Sequence, residues 1–327
     1  GCPVAEQIYD QTAKVKKAVS QDLLGGRIDL LLGWEKGHYW WQSKPLFARS
    51  EKDLDRLVWD SFCAVNLSRY LPDELKENKK IGVLVKGCDA RAFNRLLQDR
   101  IVERERVILY GLPCSGMLDY TRLVEEAGAD LQGITERNNT VIVQTKGGDR
   151  ELPREELLLD KCRHCLHPDP VVYDQLLFEP LGDKEEAEHF KAVEELEKQS
   201  AEERYAYWEK ELSRCLRCYA CRQACPYCSC LECFVEQKSP RWQGRAYQPG
   251  ENFMFHLVRA YHGTGRCIEC GECERVCPVG IPLMELNRKL IKDINELYGQ
   301  YEAGLDPEQE PPLLTYRPDD PAAFSEK

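Results

Sequence analysis

The 327 residues predict an α/β amino-terminal domain with a mostly parallel sheet, followed by a cysteine-dense α+β domain. Three observations carry this expectation. Strand-like apolar runs alternate with helical patterns through the first half, seventeen cysteines crowd into C-x2-C runs, and two of those runs repeat one spacing. The chain is long enough for more than one core, and a hydrophobic content of 43% excludes wholesale disorder. A net charge of −11 argues against nucleic-acid binding, which needs a basic face.

Along the chain, Ile8, Val15, Val19 and Leu23 share one helical face over residues 5–24. "GG" stops that helix, "RIDLLLGW" reads as a buried strand, and "EKGHYWWQSKPLF" reads as a hairpin or loop. A helix is expected over 54–70. "KKIGVLVKGCDARAFNRLLQDR" follows as a strand, a tight turn at Gly87 and a helix from Asp89, and "RVILYGLPCSG" repeats the strand-into-loop pattern. In parallel sheets ligands gather at the strands' carboxyl ends, which is where Cys88 and Cys114 fall. Lys86, Asp89 and Arg91 around Cys88 read as a salt-bridged helix start rather than an anion site.

"TVIVQTKGGDRELP" reads as a small hairpin and "DKCRHCLHPDP" as a loop. Residues 183–214 are rich in Glu, Lys and Ala and predict a solvated connecting helix. The tail from 303 is proline-rich and acidic, hence extended, wrapping its own chain or a partner. The expected division is an α/β domain over 1–182, a connecting helix over 183–214, the cysteine-rich domain over 215–300 and the tail over 301–327.

The two matching runs are "CLRCYACRQACP" and "CIECGECERVCP", each C-x2-C-x2-C-x3-C-P, the spacing of bacterial two-cluster ferredoxins. Three close thiolates reach three irons of one cube, and the fourth cysteine ligates the other cube. Cys215, Cys218, Cys221 and Cys277 are therefore assigned to one [4Fe–4S] cluster, and Cys267, Cys270, Cys273 and Cys225 to a second. The second domain is thus expected to be a ferredoxin-like 2[4Fe–4S] α+β domain, with an insertion among the 41 residues between Cys225 and Cys267. Zinc is the competing reading, since C-x2-C pairs also build zinc ribbons, but the repeated x2-x2-x3-Pro pattern is far more specific.

Nine cysteines remain. Cys88, Cys114, Cys162 and Cys165, on three loops, form a candidate third [4Fe–4S] site, with zinc or simple buried thiols as alternatives. Cys228, Cys230 and Cys233 form C-x-C-x2-C inside the insertion. Cys63 is the unspent cysteine besides Cys2 at the terminus, so those four make a candidate fourth cluster or zinc site, set against buried unligated thiols. His38, His164, His167, His256 and His262 lack metal-ligand spacing among themselves.

The stretch "GVLVKGCDARAFNRLLQDR…VILYGLPCSG…KCRHC", with "RIDLLLGWEKG…KPLF" before it, resembles the β-subunit family of coenzyme F420-reducing hydrogenases and F420-linked formate dehydrogenases. The form it resembles carries a dicluster ferredoxin domain and associates with heterodisulfide-reductase-like or flavin-oxidoreductase complexes of anaerobes. The resemblance implies an electron-entry or relay subunit and, in F420-using relatives, a bound FAD. No G-x-G-x-x-G follows a strand here, so FAD rests on the resemblance and on no motif.

Nucleophilic cysteine chemistry would need one thiolate with a base nearby, not an ensemble at cluster spacing. The expected function is an iron–sulfur electron-transfer subunit of a cytoplasmic anaerobic oxidoreductase complex. It would relay low-potential electrons between a flavin- or metal-containing partner and another carrier; the named partner classes are heterodisulfide-reductase-like proteins, flavoproteins, hydrogenase and formate dehydrogenase. The alternatives are an FAD-bearing subunit acting on F420 or NADH-type carriers, and a zinc-binding interaction module. No apolar run is long enough to span a bilayer, and the first residues show no signal-peptide pattern, which fits a reducing compartment.

Overall fold

Helix α1 (Pro3–Leu24) opens the chain and buries Val15, Val19 and Leu23 along one face. This computed structural model describes residues 3–77, 79–128, 131–137, 139–184, 189–244, 246–314 and 317–318; Cys2, and with it any role for that thiol, lies outside them. By internal packing the chain forms two compact units, one from residues 1–90 and 102–184, the other from 91–101 and 185–327.

In the first unit, β1 (Leu30–Lys36) and β2 (Ser43–Ala48) make the expected antiparallel hairpin, with Leu31 opposite Ala48. The single helix expected over 54–70 does not form. Instead α2 (Glu51–Leu54) starts on the Ser50 side-chain cap and stops after one turn. Leu57 and Val58 then pair with β1 as β3 (Leu57–Val58), and the Asp60 carboxylate accepts from Phe62 N at 2.9 Å, turning the chain. A side chain that satisfies nearby backbone donors competes with helix, and here tertiary pairing completes the break. A 3-10 turn over Leu67–Tyr70 leads into α3 (Leu71–Glu74).

Next come β4 (Ile81–Val85), α4 (Gly87–Gln98), β5 (Val107–Gly111) and α5 (Tyr120–Ala127), the last capped by Asp119. The antiparallel strands β6 (Leu131–Arg137), β7 (Thr140–Thr145) and β8 (Arg150–Pro153) form a separate small sheet. β7 and β8 are the expected hairpin; β6 joins it in addition. α6 (Asp160–Arg163) replaces part of the loop expected around Cys162, and β9 (Gln175–Leu176) completes the main sheet. That sheet runs β2-β1-β4-β5-β9, with β3 also on β1. The β1/β4, β4/β5 and β5/β9 pairs are parallel, while β2 and β3 are antiparallel. All five residues of β4 are buried, which is why it reads as a continuous apolar run rather than an alternating one.

The second unit holds α7 (Lys191–Glu197), α8 (Ala201–Ser213), α9 (Ala220–Gln223), α10 (Pro249–His262), α11 (Glu272–Arg275) and α12 (Leu283–Tyr298). The one connecting helix expected over 183–214 is two, because Ser200 and Glu203 form a reciprocal capping box that starts α8 afresh. Residues 185–188 of that segment lie outside the described ones. Between 215 and 300 there are helices and loops and, among the described residues, no strand. The β component of the expected α+β domain is therefore absent there, and loops carry the cysteine spacing. Leu212, Phe255, Ile281, Leu283 and Met284 form the core together with Cys215, Cys221 and Cys273.

The first part of the tail lies along residues 91–98. Arg91 donates to Ala303 O at 3.2 and 3.0 Å, and Asn94 to Gly304 O at 3.0 Å. Gln98 donates to Gln309 O at 2.9 Å. Wrapping on its own chain is thus the course of 303–309. Among the described residues no helix is long and apolar enough to cross a membrane.

Gly304 has φ 76°, and a Cβ there would collide with the Arg91 carbonyl. Gly304→Ala is therefore expected to lower unfolding stability by about 1–3 kcal/mol and to raise hydrogen exchange over 303–309. Gly250→Ala in α10, where nothing obstructs a Cβ, should leave urea unfolding unchanged or slightly stabilised.

Candidate metal centres

The two ferredoxin-spaced runs are built alike, residue for residue. In the first, Arg217 and Tyr219 have φ 54° and 59°; at the same two places in the second, Glu269 and Gly271 have φ 56° and 64°. Three of those four are not glycine, and a side chain in the left-handed region costs on the order of 1 kcal/mol. The same bend built twice against that cost is a geometric requirement of the loop. The bend turns amides toward sulfur: Arg217 N donates to Cys215 Sγ at 3.3 Å, and Glu269 N makes the matching bond to Cys267. Such donors stabilise thiolate and cluster sulfur, so the residues present fit the iron–sulfur group that their spacing implies.

Short helices follow each bend. α9 carries Cys221 and α11 carries Cys273, both buried. Cys215 lies within electrostatic reach of Cys277 and Cys218, and Cys221 within reach of Cys215 and Cys277. Cys267 and Cys273 lie within reach of Cys225. The fourth cysteine of each run thus lies within electrostatic reach of the first and third of the other. Ile281 N donates to Cys277 Sγ at 3.4 Å, and Asn287 of α12 donates to Cys273 Sγ at 3.7 Å.

Burial pushes these thiols upward, Cys221 to about 12 and Cys273 to about 11, with Arg259 pulling the other way in each. Without metal they are neutral thiols, and iron must displace their protons. Arg259 itself is buried and donates to Cys221 O at 3.3 Å. It stands within electrostatic reach of Cys225, Cys273 and Cys228, a cation amid the cysteine sets. His256, pushed down to about 3 by burial and by Arg259 and Arg217, is neutral near pH 7. The sequence reading missed Arg259 and Arg217 and set His256 aside for want of ligand spacing. The one available signal was that Arg259 and His256 are polar residues on the helix whose Phe255 and Ala260 are buried.

In the first unit, Cys88 is the second residue of α4, just after β4, and Cys114 follows β5. The Cys162–Cys165 loop approaches both. Cys114 lies within reach of Cys162 and Cys165, and Cys88 within reach of Cys165. Cys114 N donates to Pro168 O at 3.0 Å, and a Cβ on Gly87 would strike the His167 carbonyl, so these loops meet backbone to backbone. Burial raises the Cys114 thiol to about 12 and also raises Cys88. His167 is paired with Asp183 at 3.1 Å.

Lys86 is the buried cation of this group. Its ammonium is 2.8 Å from Asp89, donates to Val65 O at 3.1 Å and lies 4.0 Å above the Trp34 ring. The salt-bridged helix start is present, and its positive end also faces Cys88 and Cys114 electrostatically. Arg91 is spent elsewhere, on Ala303.

Cys63 is fully buried in this unit, its Sγ within hydrogen-bonding range of Asp60 N (3.4 Å) and Val58 O (3.7 Å). Burial, then Asp60, raises its pKa well above the ordinary thiol value. Cys228, Cys230 and Cys233 belong to the second unit, where all three line one pocket. Among the described residues, no three His, Cys, Asp or Glu side chains converge on a point that would hold a single metal ion.

Paired runs of this build fit the iron–sulfur chemistry of a dicluster domain, and residues 211–281 match the family model described as "4Fe-4S dicluster domain". The chain as a whole is similar to named relatives. It is 25% identical over 350 residues to the F420-dependent formate dehydrogenase subunit beta of Methanocaldococcus jannaschii, spanning 88% of this chain and 90% of that protein. It is also 25% identical over 349 residues to the F420-dependent formate dehydrogenase 1 subunit beta of Methanococcus maripaludis, spanning 88% and 89%. Among solved structures, a chain of the F420-reducing [NiFe] hydrogenase complex from Methanosarcina barkeri aligns at 19% identity and a TM-score of 0.38, over 49% of this chain and 62% of that one.

Removing the buried ammonium would leave Asp89 uncompensated. Lys86→Met is expected to cost about 3–5 kcal/mol in chemical unfolding. A loss below ~1 kcal/mol would show that backbone donors alone satisfy the carboxylate.

Proposed function

We propose that this protein is the iron–sulfur electron-transfer subunit of an oxidoreductase complex. It would relay low-potential electrons between a flavin- or metal-containing partner and another redox carrier. The observation that supports the reading is a pair of identically bent runs in which the fourth cysteine of each lies within electrostatic reach of cysteines of the other. In it, Cys215, Cys218, Cys221 and Cys277 hold one [4Fe–4S] cluster, and Cys267, Cys270, Cys273 and Cys225 hold the second. Bound clusters supply one-electron capacity. The chain's own residues set their environment: the Arg217 and Glu269 amides donate to sulfur, Asn287 donates to Cys273, and Arg259 adds positive charge between the sets.

Cys88, Cys114, Cys162 and Cys165 are proposed to hold a third [4Fe–4S] cluster at the carboxyl ends of β4 and β5, with Lys86 offsetting its negative charge. The partner classes fit the relatives' names, which place them in formate dehydrogenases described as F420-dependent. A reducing cytoplasm is the compartment in which so many unpaired thiols remain available to iron.

A second reading has its own support. A groove of about 320 Å3 opens beside Cys114, lined by Trp59, Gly116, Glu136, Arg154 and Phe178 among others. Its size is that of a small-molecule site. Arg154 is buried and donates to Ser115 O and Gly116 O at 2.8 and 2.7 Å, which stiffens the loop on that wall. An FAD or F420-type carrier bound there would make the chain an electron-input subunit.

Anaerobic iron and acid-labile sulfide counts on the full chain test the relay: roughly eight of each are expected for two cubes and roughly twelve for three. Cys218→Ser is expected to remove or convert one cube, and Cys114→Ser to lower the iron count by about four. Zinc without sulfide would sink the relay. Stoichiometric FAD in the purified protein, reduced in Trp59→Ala, would favour the electron-input reading.

A further inference from the structure

Three thiols in six residues, Cys228, Cys230 and Cys233, need a fourth ligand to close a metal site. The pocket they line is closed on another side by the last turn of α10, and His262 lines it together with Arg259, Arg266 and Arg222. We propose that Cys228, Cys230, Cys233 and His262 form an additional centre, a site of three thiolates and one imidazole that takes a [4Fe–4S] cluster. This goes beyond the ferredoxin pair and rests on the reading of the chain as an iron–sulfur protein.

The site is built rather than incidental. Tyr227, next to Cys228, is buried, and its hydroxyl donates to Arg259 O at 3.4 Å, which ties the cysteine loop to α10. Gly263, directly after His262, has no room for a Cβ, because the Tyr227 ring occupies that space. Arg222 pairs with Glu236 at 2.6 Å, and the other Glu236 oxygen accepts from Cys233 N at 3.1 Å, which fixes the third thiol. The Phe234 ring meets His262 edge-on, with centroids 5.3 Å apart and an interplanar angle of 86°, which orients the imidazole.

Charge agrees with this ligand set. Each of Arg222, Arg259 and Arg266 stands within electrostatic reach of at least one of the three thiols. The Nε atoms of Arg259 and Arg266 are buried and without a hydrogen-bond partner among the described residues. Arg222 is also paired with Glu236 and Arg266 with Asp99, so Arg259 is the cation whose charge is most directly set against the thiolates. Cys228 also bonds side chain to side chain with Cys225, a proposed ligand of the second ferredoxin cluster. A one-electron centre here would sit beside that cluster, taking one electron and passing one on with no bond made or broken.

The test uses the full chain, loaded anaerobically with ferrous iron and sulfide, and reads metal and sulfide content and an EPR-monitored redox titration. Cys230→Ser, at an exposed thiol, is expected to lose about four irons and four sulfides while the ferredoxin-pair signals persist. His262→Cys should keep its iron but lower one midpoint potential, because an anionic thiolate replaces a neutral imidazole. Cys63→Ser should keep the full count. An unchanged iron count in Cys230→Ser, zinc at this site, or unmoved midpoints in His262→Cys would overturn the proposal. So would loss of four irons in Cys63→Ser, which would make Cys63 the fourth ligand. In each of these cases the persisting ferredoxin signals leave the dicluster reading standing, so the two failures are distinguishable.

Discussion

The second unit depends on a backbone bend: a cysteine loop must curl tightly enough for its amides to face its own sulfurs. The chain makes that curl with two left-handed residues per run, even where they are Arg217, Tyr219 and Glu269. Much else follows from it. With the loop curled, α9 and α11 start immediately and carry Cys221 and Cys273 into the core. The apolar core of this unit is accordingly built around sulfur, with Phe255, Leu283 and Met284 packed against thiols.

Positive charge is the counterpart of that constraint. Thiolates are costly to bury unless something nearby compensates them. In the second unit Arg259 serves this role, flanked by Arg222 and Arg266; in the first unit Lys86 does, held in place by Asp89 and the Trp34 ring. Both cations are almost fully buried, and both stand within reach of more than one cysteine. Were clusters bound in these sets, a buried cation beside one would favour its reduced, more negative state.

Much of the ferredoxin pair was legible beforehand because the four cysteines of each run fall within eleven residues, and local spacing is what a sequence displays directly. The strands β1, β4 and β5 were legible for a similar reason: buried parallel strands are uninterrupted apolar runs. Residues 54–70 misled because their apolar positions suit a helix, while Asp60 and the pairing of Leu57 with β1 turn the chain elsewhere. The break at Ser200 was readable from Ser and Glu three apart, a capping signal outweighed by the run of helix-forming residues around it.

By itself, then, the sequence determined the chemistry: which sulfurs are spaced for cubes, that two runs are equivalent, and that strand ends carry further thiols. Only the tertiary structure decided which distant side chains stand beside each set of thiols. Arg259, His262 and Lys86 carry no motif, since a cation or an imidazole beside a thiol is a matter of which helix face packs on which loop. His262 lies 29 residues after Cys233, and Tyr227 and Gly263 bring it to the cysteines by packing, not by spacing. Spacing records neighbours along the chain; contacts between remote segments arise from burial and shape, which no local pattern encodes.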